Sequence, residues 1–472
     1  MLDILIVAAY LLGTVAWGLA KARRLRTGGD FNGTGTRQGP FLVFASLTAS
    51  FLGGGFSFGL ASRVYAGGVG HVLALWGFSV GTVLVGLILA PRLQRFRGCG
   101  SVGSLMGVAY GPGAQAAVGM LAALFCCAVF GAQLRALGLL LEAWLGLDFR
   151  LGAAVGCAVL VALCASGGSQ AVVTAAPIQF ALLLCGFALM LVLGVARTGG
   201  FSGLAQTVSP EKLQPFSELT VPMATGSFLL FMSGETLAPP YVGRLLTSRD
   251  GQSARMGGLA AGLLSIVLFA LCGLVGLIAS AIFPQINAEL ALPTVLAQVL
   301  PVGLRGLAAA GVLAGLTAAG AAFLSAAVSN LTLDVLPPFL PGSSGVATGR
   351  AATVAFGLVS LSVALFSTGV LEALALAYKL WAPAVTVPLV AAAFGKRSGL
   401  LVYWCTALGG LVSMVFWEIS GNPFALPSPV FGILISAAVC ISLPQRKPMK
   451  RADDMRFDNC VLKAGRGRWA GR

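Results

Sequence analysis

Two ionisable residues lie inside long apolar stretches, where a charged side chain could bind a ligand or carry a proton. Glu235 lies in ATGSFLLFMSGETLAPP and Lys379 lies in ALALAYKLWAP. A charge in hydrocarbon costs several kcal/mol, about 3 for a lysine or an acid at the centre of a helix, and therefore suggests a function. Glu235 either binds a ligand ammonium group or carries a proton, or it is a structural acid bonded to free backbone N–H groups. Lys379 either reaches the lipid headgroups or neutralises Glu235 or a ligand carboxylate. Together the two charges favour a zwitterionic or monocarboxylate ligand.

The composition places both residues in a membrane protein. Of the 472 residues, 57% are hydrophobic and 10% are charged, and the mean hydropathy is +0.93. These values are far too apolar for a soluble protein of this length. The 64 glycines favour a helical bundle, since small residues let helices approach closely in lipid.

Apolar windows of about 20 residues, the length of a spanning helix, predict an all-α polytopic membrane protein with about thirteen transmembrane helices. The windows lie near 2–20, 41–60, 70–91, 114–140, 150–167, 172–195, 221–243, 257–283, 304–335, 351–370, 372–394, 399–419 and 425–443.

Two of these windows are interrupted. The second holds Gly53, Gly54 and Gly55 at its midpoint, and the seventh holds Pro239 and Pro240 after Gly234. Each break falls in the first helix of a set of five, which predicts a 5+5 inverted repeat with two discontinuous helices and a binding site at mid-membrane. Two local explanations remain open: the glycines could serve close helix packing, and the prolines could form a kink near the cytoplasm.

Most of the 30 Lys and Arg residues fall in alternate loops and in the C-terminal tail. The positive-inside rule then places the N-terminus outside and the C-terminus in the cytoplasm of an inner (plasma) membrane. The net charge of +15 therefore reflects topology and membrane lipid rather than nucleic acid. We expect four parts: residues 1–40 as first helix and cytoplasmic loop, 41–395 as transport core, 396–445 as two accessory helices, and 446–472 as basic cytoplasmic tail.

Three stretches resemble the solute:sodium symporter family, whose members share the inverted-repeat leucine-transporter fold. They are GGSQAVVTAAPIQ at 167–179, PPYVGRLLTSRDGQSAR at 239–255 and GLRGLAAAGVLAGLTAAGAAFLSAAVSNLTLDV at 303–335. The resemblance extends over nearly the whole chain. It implies alternating access with a sodium ion between the first and eighth core helices.

The resemblance also implies the ion ligands, position by position. Carbonyl groups would come from Ala49, Leu52 and Gly315. The two hydroxyl positions of the family align with Ala318 and Ala319, and an acidic position aligns with Ala176. Alanine methyl groups cannot coordinate a cation, so three ligands are missing. Three nearby hydroxyl residues are candidate substitutes: Thr48, Ser50 and Thr317. Thr317 is one residue from Ala318, a rotation of about 100° on a helix.

The resulting prediction is a secondary active transporter that imports a small organic solute by cation-coupled alternating access of the sodium-symport type. Gly53, Gly54, Glu235, Phe231 and Lys379 are its candidate substrate or pathway residues. A sodium-independent transporter, proton-coupled or uniport, and a non-transporting solute sensor are the alternatives. We expect no enzymatic activity, no cofactor beyond sodium as coupling ion, and no obligate protein partner.

Overall fold

The protein is described here by a computed structural model of residues 1–340, 342–367, 377–396 and 398–444. Apart from a single bridge between Gln38 and Ser248, the regular elements in these ranges are helices. The predicted basic tail, 446–472, lies outside the described residues.

Sixteen helices organise the described chain, numbered here in chain order. They are α1 Leu2–Ala22, α2 Pro40–Phe51, α3 Gly55–Gly67, α4 Gly70–Phe96, α5 Val102–Tyr110, α6 Pro112–Leu145, α7 Phe149–Arg197, α8 Val221–Gly234, α9 Pro239–Leu246, α10 Gly251–Ile282, α11 Ala288–Val299, α12 Leu304–Val335, α13 Val346–Phe366, α14 Ala377–Ala393, α15 Leu400–Ile419 and α16 Ser428–Ser442. Short helices also occur in loops, at Gly28–Asn32, Gly200–Thr207 and Pro210–Leu213.

Within the described residues, eight helices are long and apolar enough to cross a membrane, or nine when α2 and α3 count as one bent span. Four further apolar helices have 10–17 residues: α8, α11, α14 and α16. The all-helical polytopic class is confirmed. The number of thirteen spans and the division into four parts stay predictions.

Both predicted helix breaks are present. The axes of α2 and α3 differ by 57°, and Leu52 between them has a non-helical ψ of 46°. The second break separates α8, which ends at Gly234, from α9, which begins at Pro239. Proline suits the first turn of a helix because its missing N–H would have no intrahelical acceptor there. The two breaks leave backbone groups free inside the bundle.

The helix α7 runs over 49 residues, but Gly168 divides it where two separate windows were predicted. Gly168 has φ 56° and ψ −160°, a conformation that side chains disfavour. A Cβ atom there would also lie 2.5 Å from the carbonyl oxygen of Phe31. The glycine therefore permits both the turn and the contact with the loop after α1.

The helix α12 occupies the centre and is almost completely buried. It packs closely on α7, where Cβ atoms added to Gly186 and Gly311 would lie 3.0 and 2.8 Å from each other's Cα atoms. The N-terminus of α12 is bound by Asp3 of α1, whose carboxylate accepts the N–H groups of Gly303 and Gly306 at 2.6 and 2.9 Å. We call this end of the molecule, where α1 begins, the N-terminal face, and the other end the opposite face.

On the opposite face, Asp250 caps α10 just before the helix begins. Its carboxylate accepts the Ser253 backbone N–H at 2.7 Å. That hydrogen bond, with a smaller contribution from Arg249, lowers the pKa of Asp250 to about 2. A charged cap of this kind favours the helix N-terminus at neutral pH.

Candidate functional site

The break after α2 is supported by a glutamine from α6. The Gln133 side-chain oxygen accepts the backbone N–H of Gly54 at 2.5 Å. A Cβ atom on Gly53 would lie 2.5 Å from that oxygen and 2.7 Å from the Ala319 methyl group. Gly53 and Gly54 are therefore needed for close contact with α6 and α12, so the glycines serve close helix packing as well as the helix break.

The break of α2 lies directly against α12. A Cβ atom on Gly315 would lie 2.7 Å from the Leu52 carbonyl oxygen and 2.5 Å from a Leu183 methyl group. Among the described residues, no hydrogen bond ends on the Leu52 carbonyl. We call this contact the Leu52–Gly315 crossing. An unpaired carbonyl at a helix break is the type of ligand that an alkali cation requires.

Methyl groups adjoin the crossing where hydroxyl and carboxyl groups were expected from the resemblance. Ala49, Ala176 and Ala318 form a small buried apolar cluster, against which Phe180 packs. Each of the three alanines is at most 4% exposed. The structure thus brings together three helices at the predicted position, α2, α7 and α12, without side-chain oxygens from these alanines.

The three candidate substitute hydroxyl groups make hydrogen bonds of their own. Ser50 Oγ donates to the Ser46 carbonyl at 2.8 Å, within α2. Thr317 Oγ1 bonds the Tyr10 hydroxyl at 2.5 Å and accepts from Gln179 Nε2 at 3.2 Å. Thr48 Oγ1 donates to the Phe44 carbonyl at 2.8 Å, within its own helix. Thr317 therefore connects α12 to α1 and α7.

Glu235 ends α8 at the second break and is 4% exposed. One carboxylate oxygen accepts the Tyr241 hydroxyl at 3.3 Å, and the other accepts the Tyr378 hydroxyl. Buried carboxylates need such donors. The two tyrosines connect the break to α9 and α14.

Lys379 does not bind Glu235. Its ammonium group forms an ion pair with Glu418 of α15, and the second oxygen of Glu418 accepts the Ser428 hydroxyl at 3.2 Å. Lys379 therefore fastens α14 to the end of the bundle at which α15 ends and α16 begins.

A pocket opens beside the two breaks towards the N-terminal face. Its volume is about 210 Å³. Phe56 and Phe231 line its apolar part, with ring centroids 6.2 Å apart. Tyr378, which binds Glu235, also lines it, and Lys379 stands at its wall. We call it the Phe56 pocket.

A buried polar cluster lies towards the opposite face. Asn32, in the loop after α1, accepts the Ser329 hydroxyl at 3.1 Å and donates to Thr332 Oγ1 at 3.3 Å. The buried Asp334 accepts from Ser104 Oγ at 2.7 Å. The polar end of α12 is thus bound to a loop and to α5.

The predicted site residues fall into two neighbouring groups. The first surrounds the crossing: Ala49, Leu52, Gly53, Gly54, Gly315, Ala318 and Ala319. The second surrounds the pocket: Phe231, Glu235 and Lys379. The hydroxyl groups of Thr48 and Thr317 form hydrogen bonds with residues outside both groups. Sequence reasoning missed Gln133, Tyr10, Tyr241, Tyr378 and Arg63, of which only Gln133 and Arg63 carried a signal, as polar side chains in apolar windows.

Comparison with known proteins identifies the family and the fold of the chain. Residues 32–416 match the family model described as Sodium:solute symporter family. A relative, sodium/glucose cotransporter 4 of Danio rerio, is 23% identical over 503 aligned positions, which cover 89% of this chain and 73% of the relative.

Two solved structures share the fold. One is a Na⁺-coupled sialic acid symporter in a substrate-bound outward-open state, with a TM-score of 0.84 and 16% identity over 95% of this chain and 99% of the other. The second is Mhp1, a nucleobase-cation-symport-1 family transporter, with a TM-score of 0.60 and 15% identity over 86% and 92% of the two chains. At these identities, the likeness concerns the fold.

Proposed function

This chain belongs to the sodium:solute symporter family, and we propose that it imports a small organic solute through the Phe56 pocket with a sodium ion bound at the Leu52–Gly315 crossing. It is a multi-pass membrane transporter rather than an enzyme, and sodium-coupled secondary transport of a small solute is its class of activity. The proposal concerns the residues that bind solute and ion, the direction of transport and the membrane in which the protein lies.

One observation carries the proposal: the two helix breaks adjoin a pocket and a crossing. The Leu52 carbonyl faces Gly315 without a hydrogen bond among the described residues. The pocket reaches Tyr378, which binds the acid at the other break. A solute and an ion bound at such neighbouring places can bias the same helices, which is the requirement for coupling.

The ion is held mainly by backbone groups. The carbonyl oxygens of Ala49, Leu52 and Gly315 are the proposed ligands, because Ala318 and Ala319 offer only methyl groups. Fewer side-chain oxygens mean weaker binding than a cage with two hydroxyl groups would provide. We therefore expect coupling that needs a high sodium concentration.

The Phe56 pocket would face the outside, with α1 starting outside and the C-terminus in the cytoplasm of an inner (plasma) membrane. The excess of Lys and Arg in the loops of the opposite face supports this orientation. The buried cluster of Asn32, Ser329 and Thr332 then lies on the cytoplasmic side, so the solute would enter from outside.

Transport in proteoliposomes tests this proposal. Radiolabelled small organic solutes are offered singly with an inward sodium gradient, and with choline replacing sodium at equal ionic strength. We expect at least one solute to accumulate only with the sodium gradient, and a sodium ionophore to abolish the accumulation. Accumulation driven equally well in choline, or by a proton gradient alone, would contradict the sodium-coupled assignment.

A further inference from the structure

The Phe56 pocket contains a cation that the protein does not neutralise. Arg63 of α3 lines the pocket and is partly buried. Among the described residues, its guanidinium group makes no hydrogen bond and no ion pair, whereas four other basic side chains have acidic partners. A guanidinium withdrawn from water without a partner is unfavourable, so an anion that bound it would be stabilised.

The other charges of the pocket do not cancel that of Arg63. Lys379 is the second charged residue of the wall and is already paired with Glu418. Glu235 lies behind Tyr378, whose hydroxyl binds it, and is not itself a lining residue. His71 also lines the pocket and adds a polar imidazole beside the cation. After Lys379 is set against Glu418, one positive charge, that of Arg63, remains in the lining.

Most of the rest of the lining is apolar and aromatic, and Ser227, Asn422 and Ser428 add its remaining uncharged polar side chains. Phe56, Leu60, Leu75, Leu230 and Phe231 contribute to it. Such walls match a hydrocarbon or aromatic group, while a few polar groups fix the orientation of the ligand. A polyhydroxylated sugar would leave most of its hydroxyl groups unpaired against these side chains.

We propose that the transported solute is a small organic monocarboxylate, bound by its carboxylate to Arg63 and by its apolar part to Phe56 and Phe231. The inference rests on the proposed function and names the substrate class of its pocket. A guanidinium offers two parallel N–H donors to a carboxylate, a geometry that lysine does not reproduce.

Ligand binding by the purified full-length protein tests the inference. The melting temperature is titrated with phenylacetate and with phenylacetamide, which has almost the same shape and no charge, at constant NaCl. We expect a saturable rise with phenylacetate and at least tenfold weaker binding of the amide. Arg63→Gln should weaken phenylacetate binding at least tenfold, and Arg63→Lys should restore only part of it.

Controls separate this effect from general damage. Arg150→Gln alters an exposed arginine on the N-terminal face and should leave phenylacetate binding unchanged. The melting temperature of Arg63→Gln without probe shows whether the variant folds, and an Arg63→Met variant replaces it if it does not. Benzoate and hexanoate extend the search to other sizes.

Equal binding of acid and amide, undiminished binding by the Arg63 variants, or no response to any of the three carboxylates would overturn the inference. None of these results depends on sodium-driven uptake. Sodium-driven uptake of a neutral solute would retain the proposed function and refute only the anionic substrate. Carboxylate binding without sodium-driven uptake would support the anionic substrate and refute the proposed sodium-coupled function.

Discussion

At the scale of single residues, the proposed ion site lacks side-chain oxygens. The positions that the family resemblance predicts to carry hydroxyl groups hold Ala318 and Ala319, and the former packs in an apolar cluster with Ala49 and Ala176. The neighbouring Thr317 is bound to Tyr10 and Gln179 and does not replace them. Backbone carbonyls remain as the ligands that this position offers.

Restoring the hydroxyl groups should strengthen sodium binding. In the double variant Ala318→Ser and Ala319→Ser, we expect the half-saturating sodium concentration to fall about tenfold, since a total of about 1.4 kcal/mol from the two added hydroxyl groups has that effect. Equilibrium binding of radioactive sodium measures it. Ala327→Ser, buried nearer to the other end of α12, is the matched control. An unchanged sodium affinity in the double variant would place the ion elsewhere.

The tyrosine that binds Glu235 should contribute to stability. Tyr378→Phe removes one of two donors to a buried carboxylate, and we expect a loss of about 1–3 kcal/mol in the free energy of unfolding. Chemical denaturation in detergent measures the loss. Tyr403→Phe is the control, because the Tyr403 hydroxyl has no hydrogen bond among the described residues while the ring is equally buried. Equal losses in both variants would show that the hydrogen bond to Glu235 does not contribute to the free energy of unfolding.

At the scale of elements, the sequence revealed the breaks but not their partners. Glycine and proline act locally on the backbone, so Gly53 to Gly55 and Pro239 to Pro240 marked both interruptions. The polar contacts at these breaks join distant parts of the chain. Glu235 meets a tyrosine 143 positions away, and no periodicity within one helix indicates such a pair.

The role of Lys379 was left open by the sequence for the same reason, because its partner lies in a distant part of the chain. Its depth in an apolar window suggested three roles, and only the packing of α14 against α15 selected Glu418. The sequence likewise predicted a spanning helix at 304–335 and, from the family resemblance, its part in an ion site. It did not indicate that Thr317 forms a hydrogen bond to α1, because the sequence does not show which neighbouring helix a side chain faces.

The Leu52–Gly315 crossing leads to a prediction about two elements. Gly315→Ala would place a methyl group against the Leu52 carbonyl and the Leu183 side chain. We expect a loss of about 1–3 kcal/mol from overpacking and a weakened sodium response, because α2 and α12 must separate. Denaturation and sodium binding measure the two effects.

Gly13→Ala in α1 is the matched control, since an added Cβ would have no neighbour within 4 Å. It should change stability by less than about 1 kcal/mol. If Gly315→Ala behaves like this control, the two helices do not approach in the membrane as the structure describes.

At the scale of the whole molecule, we expect the pocket towards one face and the buried polar cluster towards the other to correspond to one state of an alternating-access cycle. Asn32 is hydrogen-bonded to Ser329 and Thr332 in this cluster. Each such hydrogen bond contributes about 1 kcal/mol net, so removing two would shift the balance between states about 30-fold.

Asn32→Ala should therefore favour a state open at the opposite face. We expect faster alkylation of Cys164, which is buried on α7 and donates to the Ala321 carbonyl of α12. Mass spectrometry resolves the reaction at this thiol. Cys185, partly exposed on the same helix, should react at an unchanged rate. An unaltered Cys164 rate would mean that Asn32 is not part of a gate.

The measurement that tests the central claim most directly is the melting temperature of the purified full-length protein in rising NaCl, with choline chloride at equal ionic strength as reference. A bound ion stabilises the folded state by about 1.4 kcal/mol at ten times its dissociation constant. We predict a saturable, sodium-specific rise that Gly315→Ala reduces and Gly13→Ala does not. Identical curves in sodium and choline would contradict a sodium site at the Leu52–Gly315 crossing.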